Sequence, residues 1–142
     1  MKNCRRIGSE RRWLSRQLNV IFGEIGLELG HKAEVLVHES LEKRKTTSEG
    51  LPDWLNSWHW NAHNSIMDRR GVDYTFATDV GKIYLQVKSS EARARIFRRT
   101  HGGEIVVVVI DTRHSLEKIY AIVMHEVAQK RNRILKPQPV TA

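Results

Sequence analysis

A chain of 142 residues, 40% of them hydrophobic, is long enough to bury a core and short enough to be one domain by default. Its 24 Lys and Arg against 16 Asp and Glu leave a net charge of +8, which favours a polyanionic partner, nucleic acid ahead of an anionic membrane surface. A single cysteine, Cys4, excludes a disulfide framework and a thiolate metal site, and no apolar stretch approaches the length of a membrane span.

In chain order, Ser9 is placed to cap a first helix running to about Phe22, with Trp13, Leu14, Leu18, Ile21 and Phe22 on one face. Arg11, Arg12, Arg16 and Gln17 interrupt any apolar run there, which argues against a signal peptide and for a reduced, cytoplasmic protein. A second helix is expected from about Gly30 to Lys45. Ala33, Val37 and Leu41 form its apolar row, Leu36 and Ser40 flank it, and Glu34 and His38 sit beside the stripe. Thr46 to Gly50 reads as a loop. Leu51 to Met67 holds Trp54, Trp58 and Trp60 and fits no element firmly; Pro52-Asp53 suits the start of a short helix, and a short edge strand is expected around Ser65 to Met67.

Gly71 to Ala77 and Ile83 to Ser90 read as a β-hairpin, two runs rich in β-branched and aromatic residues around a glycine-containing turn. Alternation puts Ile83, Leu85 and Val87 on a core face and Tyr84, Gln86 and Lys88 on the other. A two-residue turn at Val80-Gly81 sets Asp73 opposite Lys88 and Thr75 opposite Gln86, so that an acid, an amide oxygen and a cation share one face. That combination suits a hard cation and a phosphate. Ser89 or Ser90 then caps a third helix, Glu91 to about Thr100, stopped by Gly102-Gly103. The run IVVVVI, Ile105 to Ile110, suits a strand buried on both faces in a sheet centre. Ser115 caps a last helix with Leu116, Ile119, Tyr120, Val123 and Val127 as its apolar row, and with Lys130, Arg131 and Arg133 complementing its C-terminus. The whole reads as an α/β domain with a mixed central sheet and helices on both faces. A basic helical extension over 1–29 precedes the domain over 30–135, and a flexible tail over 136–142 follows it.

Glu34 on a helix, Gly71-Val72-Asp73, Gln86-Val87-Lys88 and the αβββαβ order resemble the PD-(D/E)XK nucleases, the restriction-endonuclease-like superfamily. The nearest branch is the Holliday-junction-resolvase-like one, and the likeness spans roughly Gly30 to Val127. Val72 stands where that family often has Pro. Gln86 stands where Asp or Glu usually sits, which keeps a side-chain oxygen but removes a negative charge. The resemblance implies hydrolysis of DNA phosphodiesters by metal-activated water, with Mg²⁺ as the cofactor and Mn²⁺ as its substitute. Asp73 would be the principal carboxylate ligand, with Gln86 adding its side-chain oxygen and Val87 its backbone carbonyl, and with Glu34 binding directly or through water. Lys88 would orient or help deprotonate the attacking water and stabilise charge on the phosphate. Small stand-alone domains of this kind often cut one strand per subunit, which implies a homodimer. The glutamine keeps a second reading open, a catalytically inactive nucleic-acid-binding module of the same fold. A third reading, a basic protein–protein adaptor, requires these residues to be scattered.

Arg93, Arg95, Arg98 and Arg99 follow the hairpin with no acid after Glu91, too lopsided for a salt-bridged face, and are read as phosphate contacts. Ser89 and Ser90 can cap the helix or contact a phosphate. His59 and His63 have ligand spacing for zinc if helical, but without an accompanying Glu or Cys the spacing reads as chance. Trp54, Trp58 and Trp60 can stack on bases or fill a core, with burial favoured. His101 and His114 receive no role.

Overall fold

The structure is a computed structural model that describes Gln17, residues 28–61 and residues 65–136. The expected N-terminal helix to Phe22 (Gln17 apart), Cys4, His63 and the tail beyond Lys136 lie outside the described residues. A helix through 28–45 (α1) carries the anticipated row, and Ala33, Val37 and Leu41 are fully buried. Then come β1 (Leu55–Trp60), the short α2 (Ile66–Arg69), β2 (Tyr74–Thr78), β3 (Gly81–Lys88), α3 (Glu91–His101), β4 (Val106–Val109) and α4 (Leu116–Leu135). The strands form one mixed sheet in the order β1-β2-β3-β4. The first three are antiparallel, and α3 carries the chain across to β4, which runs parallel to β3.

Helices cover both faces. Ala33, Val37 and Leu41 of α1 and Ile119, Val123 and Val127 of α4 pack with Tyr74, Phe76, Ile83, Leu85, Val106 and Val108 in the main core. On the opposite face Ala94 and Phe97 of α3 pack on Val107. The apolar run 105–110 is therefore buried on both sides, as its composition requires. It nevertheless forms the last strand of the described sheet and not a central one, because two helices, not two neighbouring strands, remove it from water.

Residues 51–67 depart furthest from expectation. Pro52 opens a turn, its carbonyl accepting from the Leu55 N–H at 3.0 Å, and leads into β1 in place of a helix. The pairing with β2 slips between Leu55 and Ser57, which leaves Asn56 as the extra residue of a bulge. The slip switches parity: odd-numbered Leu55 faces the core, and so do even-numbered Trp58 and Trp60, so the segment never shows strict alternation. The edge strand expected at Ser65–Met67 is the start of α2, whose first turn is capped by the Ser65 hydroxyl accepting from the Asp68 N–H.

The hairpin turn lies at Asp79-Val80, one residue earlier than expected, closed by Thr78 Oγ1 donating to the Gly81 carbonyl at 2.6 Å. Thr75 thus pairs with Tyr84, not Gln86. Because the pairing moves by two positions, each side chain keeps its face. The basic end of α4 is used for tethering and not only as a dipole complement. Lys130 Nζ donates to the Gly103 carbonyl, and Arg131 makes a bidentate pair with Asp79 in the hairpin turn while lying 5.3 Å over the Trp54 ring.

Candidate metal centre

Asp73 sits at a bend immediately before β2 and is only 4% exposed. Its N–H points to β3, donating to the Leu85 carbonyl at 2.9 Å, while its carbonyl points to β1 and accepts from the Asn61 N–H at 2.8 Å. A regular strand residue directs both groups to the same neighbour, so the chain turns through the sheet plane here. In consequence the carboxylate does not belong to either face. Oδ2 accepts from the Val87 N–H at 2.8 Å and so completes the β3 ladder where β2 has ended. This corrects the expected cross-strand pairing of Asp73 with Lys88: the acid meets β3 at Val87, between Gln86 and Lys88. Asn61, which the sequence did not single out, braces the bend with Nδ2 donating to the Val72 carbonyl and to Thr75 Oγ1.

Glu34 reaches the same point from α1. That helix is anchored where the Tyr74 hydroxyl donates to the Glu34 carbonyl at 2.6 Å, fixing its register over the start of β2. One side-chain oxygen of Glu34 lies within 4.8 Å of one of Asp73. Burial pushes the Asp73 carboxyl up to about 8, and the neighbouring Glu34 carboxyl pushes the same way, against the Val87 N–H and the Lys88 charge. Burial also raises the Tyr74 phenol, with Glu34 and Asp73 adding to the effect. A third carboxylate, Asp68 of α2, joins them: one oxygen from each of Glu34, Asp68 and Asp73 lies within 4.8 Å of the others. Two oxygens across one hard cation are about 4–5 Å apart, so the three fit a single ion. Asp68 was missed because it belongs to a four-residue helix that the sequence read as strand.

Gln86 is 8% exposed, and its Oε1 is buried with no hydrogen-bond partner among the described residues. The Val87 carbonyl leaves β3 on the side of its N–H, towards Asp73. Lys88 Nζ lies 5.0 Å over the Phe97 ring, which stacks on His101 at 4.0 Å. The three groups that meet here are carboxylates, and on the adjoining strand a buried amide oxygen is left without a donor among the described residues. The set fits a hard divalent cation such as Mg²⁺ or Mn²⁺ and offers nothing to a soft one.

The remaining candidates divide. Ser90 caps α3, accepting from the Arg93 N–H, while Ser89 is half-buried beside Lys88 with no role assigned by its contacts. Arg93, Arg95, Arg98 and Arg99 are all exposed on α3, but Arg98 is bridged to Glu91 at 3.0 Å, so the helix is not free of ion pairs as the sequence suggested. His59 is exposed on a strand, which removes the helical zinc spacing. Trp54, Trp58 and Trp60 pack against the main core, and Trp58 and Trp60 lie 5.1 and 5.2 Å from the His38 ring.

Comparison with protein-family models, curated proteins and solved structures gives no match to this chain. No helix among the described residues is long and apolar enough to cross a membrane.

Proposed function

We propose that this chain is a divalent-metal-dependent endonuclease that hydrolyses DNA phosphodiester bonds, built on a restriction-endonuclease-like αβββαβ core. The observation that carries the reading is the convergence of Glu34 and Asp73, far apart in sequence, on one point beside the Gln86-Val87-Lys88 strand. An adaptor has no use for two carboxylates with oxygens within 4.8 Å of one another at a sheet end. Glu34 and Asp73 would hold Mg²⁺ or Mn²⁺, with the Gln86 side-chain oxygen and the Val87 carbonyl as neutral donors. When bound, such an ion supplies Lewis-acid polarisation of the phosphoryl oxygen and a lowered pKa for water.

The chain's own groups do the rest. Lys88, held over Phe97 with its charge felt at Asp73, neutralises the phosphate and holds a water for in-line attack. The Asp73 carboxylate is fixed by the Val87 N–H and cannot swing away as charge develops, which is the preorganisation the reaction requires. The net charge of +8 draws the polyanion, and α3 presents Arg95 and Arg99 to it next to the strand that carries Lys88. Cutting both strands of a duplex calls for two such sites, so the active species is a homodimer acting inside the cell.

The test is cleavage of a panel of linear, flapped and junction DNA with Mg²⁺ or Mn²⁺. Asp73→Ala is expected to abolish cleavage while DNA affinity stays within about threefold, because the phosphate contacts lie elsewhere. Cleavage at the wild-type rate by that variant refutes the assignment. DNA binding without metal-dependent cleavage by the wild type supports instead the inactive module that Gln86 leaves open.

A further inference from the structure

We propose that Asp68 supplies to this centre the negative charge that Gln86 withholds, so that the third carboxylate of the site comes from α2 and not from β3. The inference rests on the hard-cation reading of the site and adds a ligand drawn from another element. Three observations support it. The Asp68 oxygen lies within 4.8 Å of those of Glu34 and Asp73, the span of one ion's coordination sphere. The backbone around Asp68 is held independently of its side chain: its N–H donates to Ser65 Oγ and its carbonyl accepts from the Gly71 N–H, so the carboxylate is delivered by α2. At the β3 position beside Val87, a neutral amide is nine-tenths buried with its oxygen unpartnered among the described residues, a state that a cation relieves and an apolar core does not. An acid at position 86 in addition to Asp68 would place four carboxylates around one divalent charge. The glutamine avoids that excess.

The experiment is Mn²⁺ binding by titration calorimetry on the full chain, without DNA, for wild type, Asp68→Asn, Asp68→Ser, Asp73→Ala and the double variant Asp68→Asn/Gln86→Glu, with cleavage measured alongside. Loss of one charged ligand is expected to weaken Mn²⁺ binding by roughly tenfold or more in both Asp68 variants. Returning the acid to β3 is expected to bring the double variant back to within about threefold of wild type, the signature of two positions that share one role. Asp68→Ser keeps a short polar side chain under the same backbone cap and covers the case in which the asparagine misfolds. Wild-type Mn²⁺ affinity in the Asp68 variants, or no recovery in the double variant, overturns the exchange. Failure of the underlying reading looks different: the wild type then binds no Mn²⁺, or Asp73→Ala binds it unchanged.

Discussion

Asp73 is the most strongly perturbed carboxyl group of the candidate site, and its surroundings favour the protonated form. Glu34, Asp68 and Lys88 are the charged groups that face it, and burial together with Glu34 outweighs the Val87 N–H and Lys88 in holding it at about 8 against an ordinary 3.8. Between those two values the folded chain binds more protons than the unfolded one. The stability of the metal-free protein therefore falls as pH rises through that window, and the contribution is fully present only below about 3.8. Asp73→Asn keeps the shape and cannot ionise. Denaturant midpoints measured from about pH 5 to 8 are expected to decline for wild type and to stay flatter for the variant; parallel profiles would assign the proton to another group. Because a ligand carboxylate must lose its proton to bind, Mn²⁺ affinity is expected to climb by up to about tenfold per pH unit below 8 and then to level off. A pH-independent affinity would contradict that account.

The elements that aim these groups meet at Gly71. Its φ of 82° lies in the left-handed region, and a Cβ there would fall 2.7 Å from Phe97 Cε2 on α3. One backbone position thus sets the distance between the α2–β2 connection, with Asp68 just before it and Asp73 at its end, and the ring under Lys88. Gly71→Ala is expected to lower stability by about 1–3 kcal/mol through the backbone alone, with the ring clash added. It is also expected to weaken Mn²⁺ binding, since Phe97 or the connection must move. The pair of measurements is a denaturant titration and a Mn²⁺ titration; an unchanged midpoint would show that the turn relaxes without strain. Motif spacing placed Gly71 correctly as the lead-in to Asp73, yet the demand for glycine comes from a helix twenty-six residues later.

The molecule carries a net charge of +8. On α3 the guanidinium of Arg98 is engaged by Glu91, and Ile96 is 63% exposed, so the outer face of that helix is a mixed surface on which Arg95 and Arg99 stand. If they hold phosphates, Arg95→Ala with Arg99→Ala should flatten the slope of log K against log[salt] by about two, roughly one for each contact. Affinity should drop equally for all sequences, because phosphate contacts carry no base information. DNA affinity across a salt series is the measurement, and an unaltered slope returns both arginines to solvent. Arg98→Ala is expected to do less than either, since its charge is already partly neutralised at 3.0 Å.

Periodicity is enough to establish α1, the hairpin and α4, because each buries one stripe or one face and repeats its apolar residues accordingly: Ala33, Val37 and Leu41, then Ile83, Leu85 and Val87, then Ile119, Val123 and Val127; α3 is legible from its serine cap and glycine stop, and β4 from its continuous apolar run. The candidate site residues Glu34, Asp73, Gln86 and Lys88 are legible as polar groups standing at fixed steps from those stripes. β1 escapes detection because the bulge at Asn56 breaks its alternation, and a four-residue α2 is too short to show a period. Only the tertiary structure decides that β4 lies at the end of the described sheet, since two-sided burial by helices and by strands leaves the same apolar run. It alone turns the Asp73 carboxylate into the sheet plane at Val87, because strand alternation holds only where the strand is regular. And it alone brings Asp68 to the centre, since that approach depends on how α2 folds back over the end of the sheet, a long-range fit that no local pattern records.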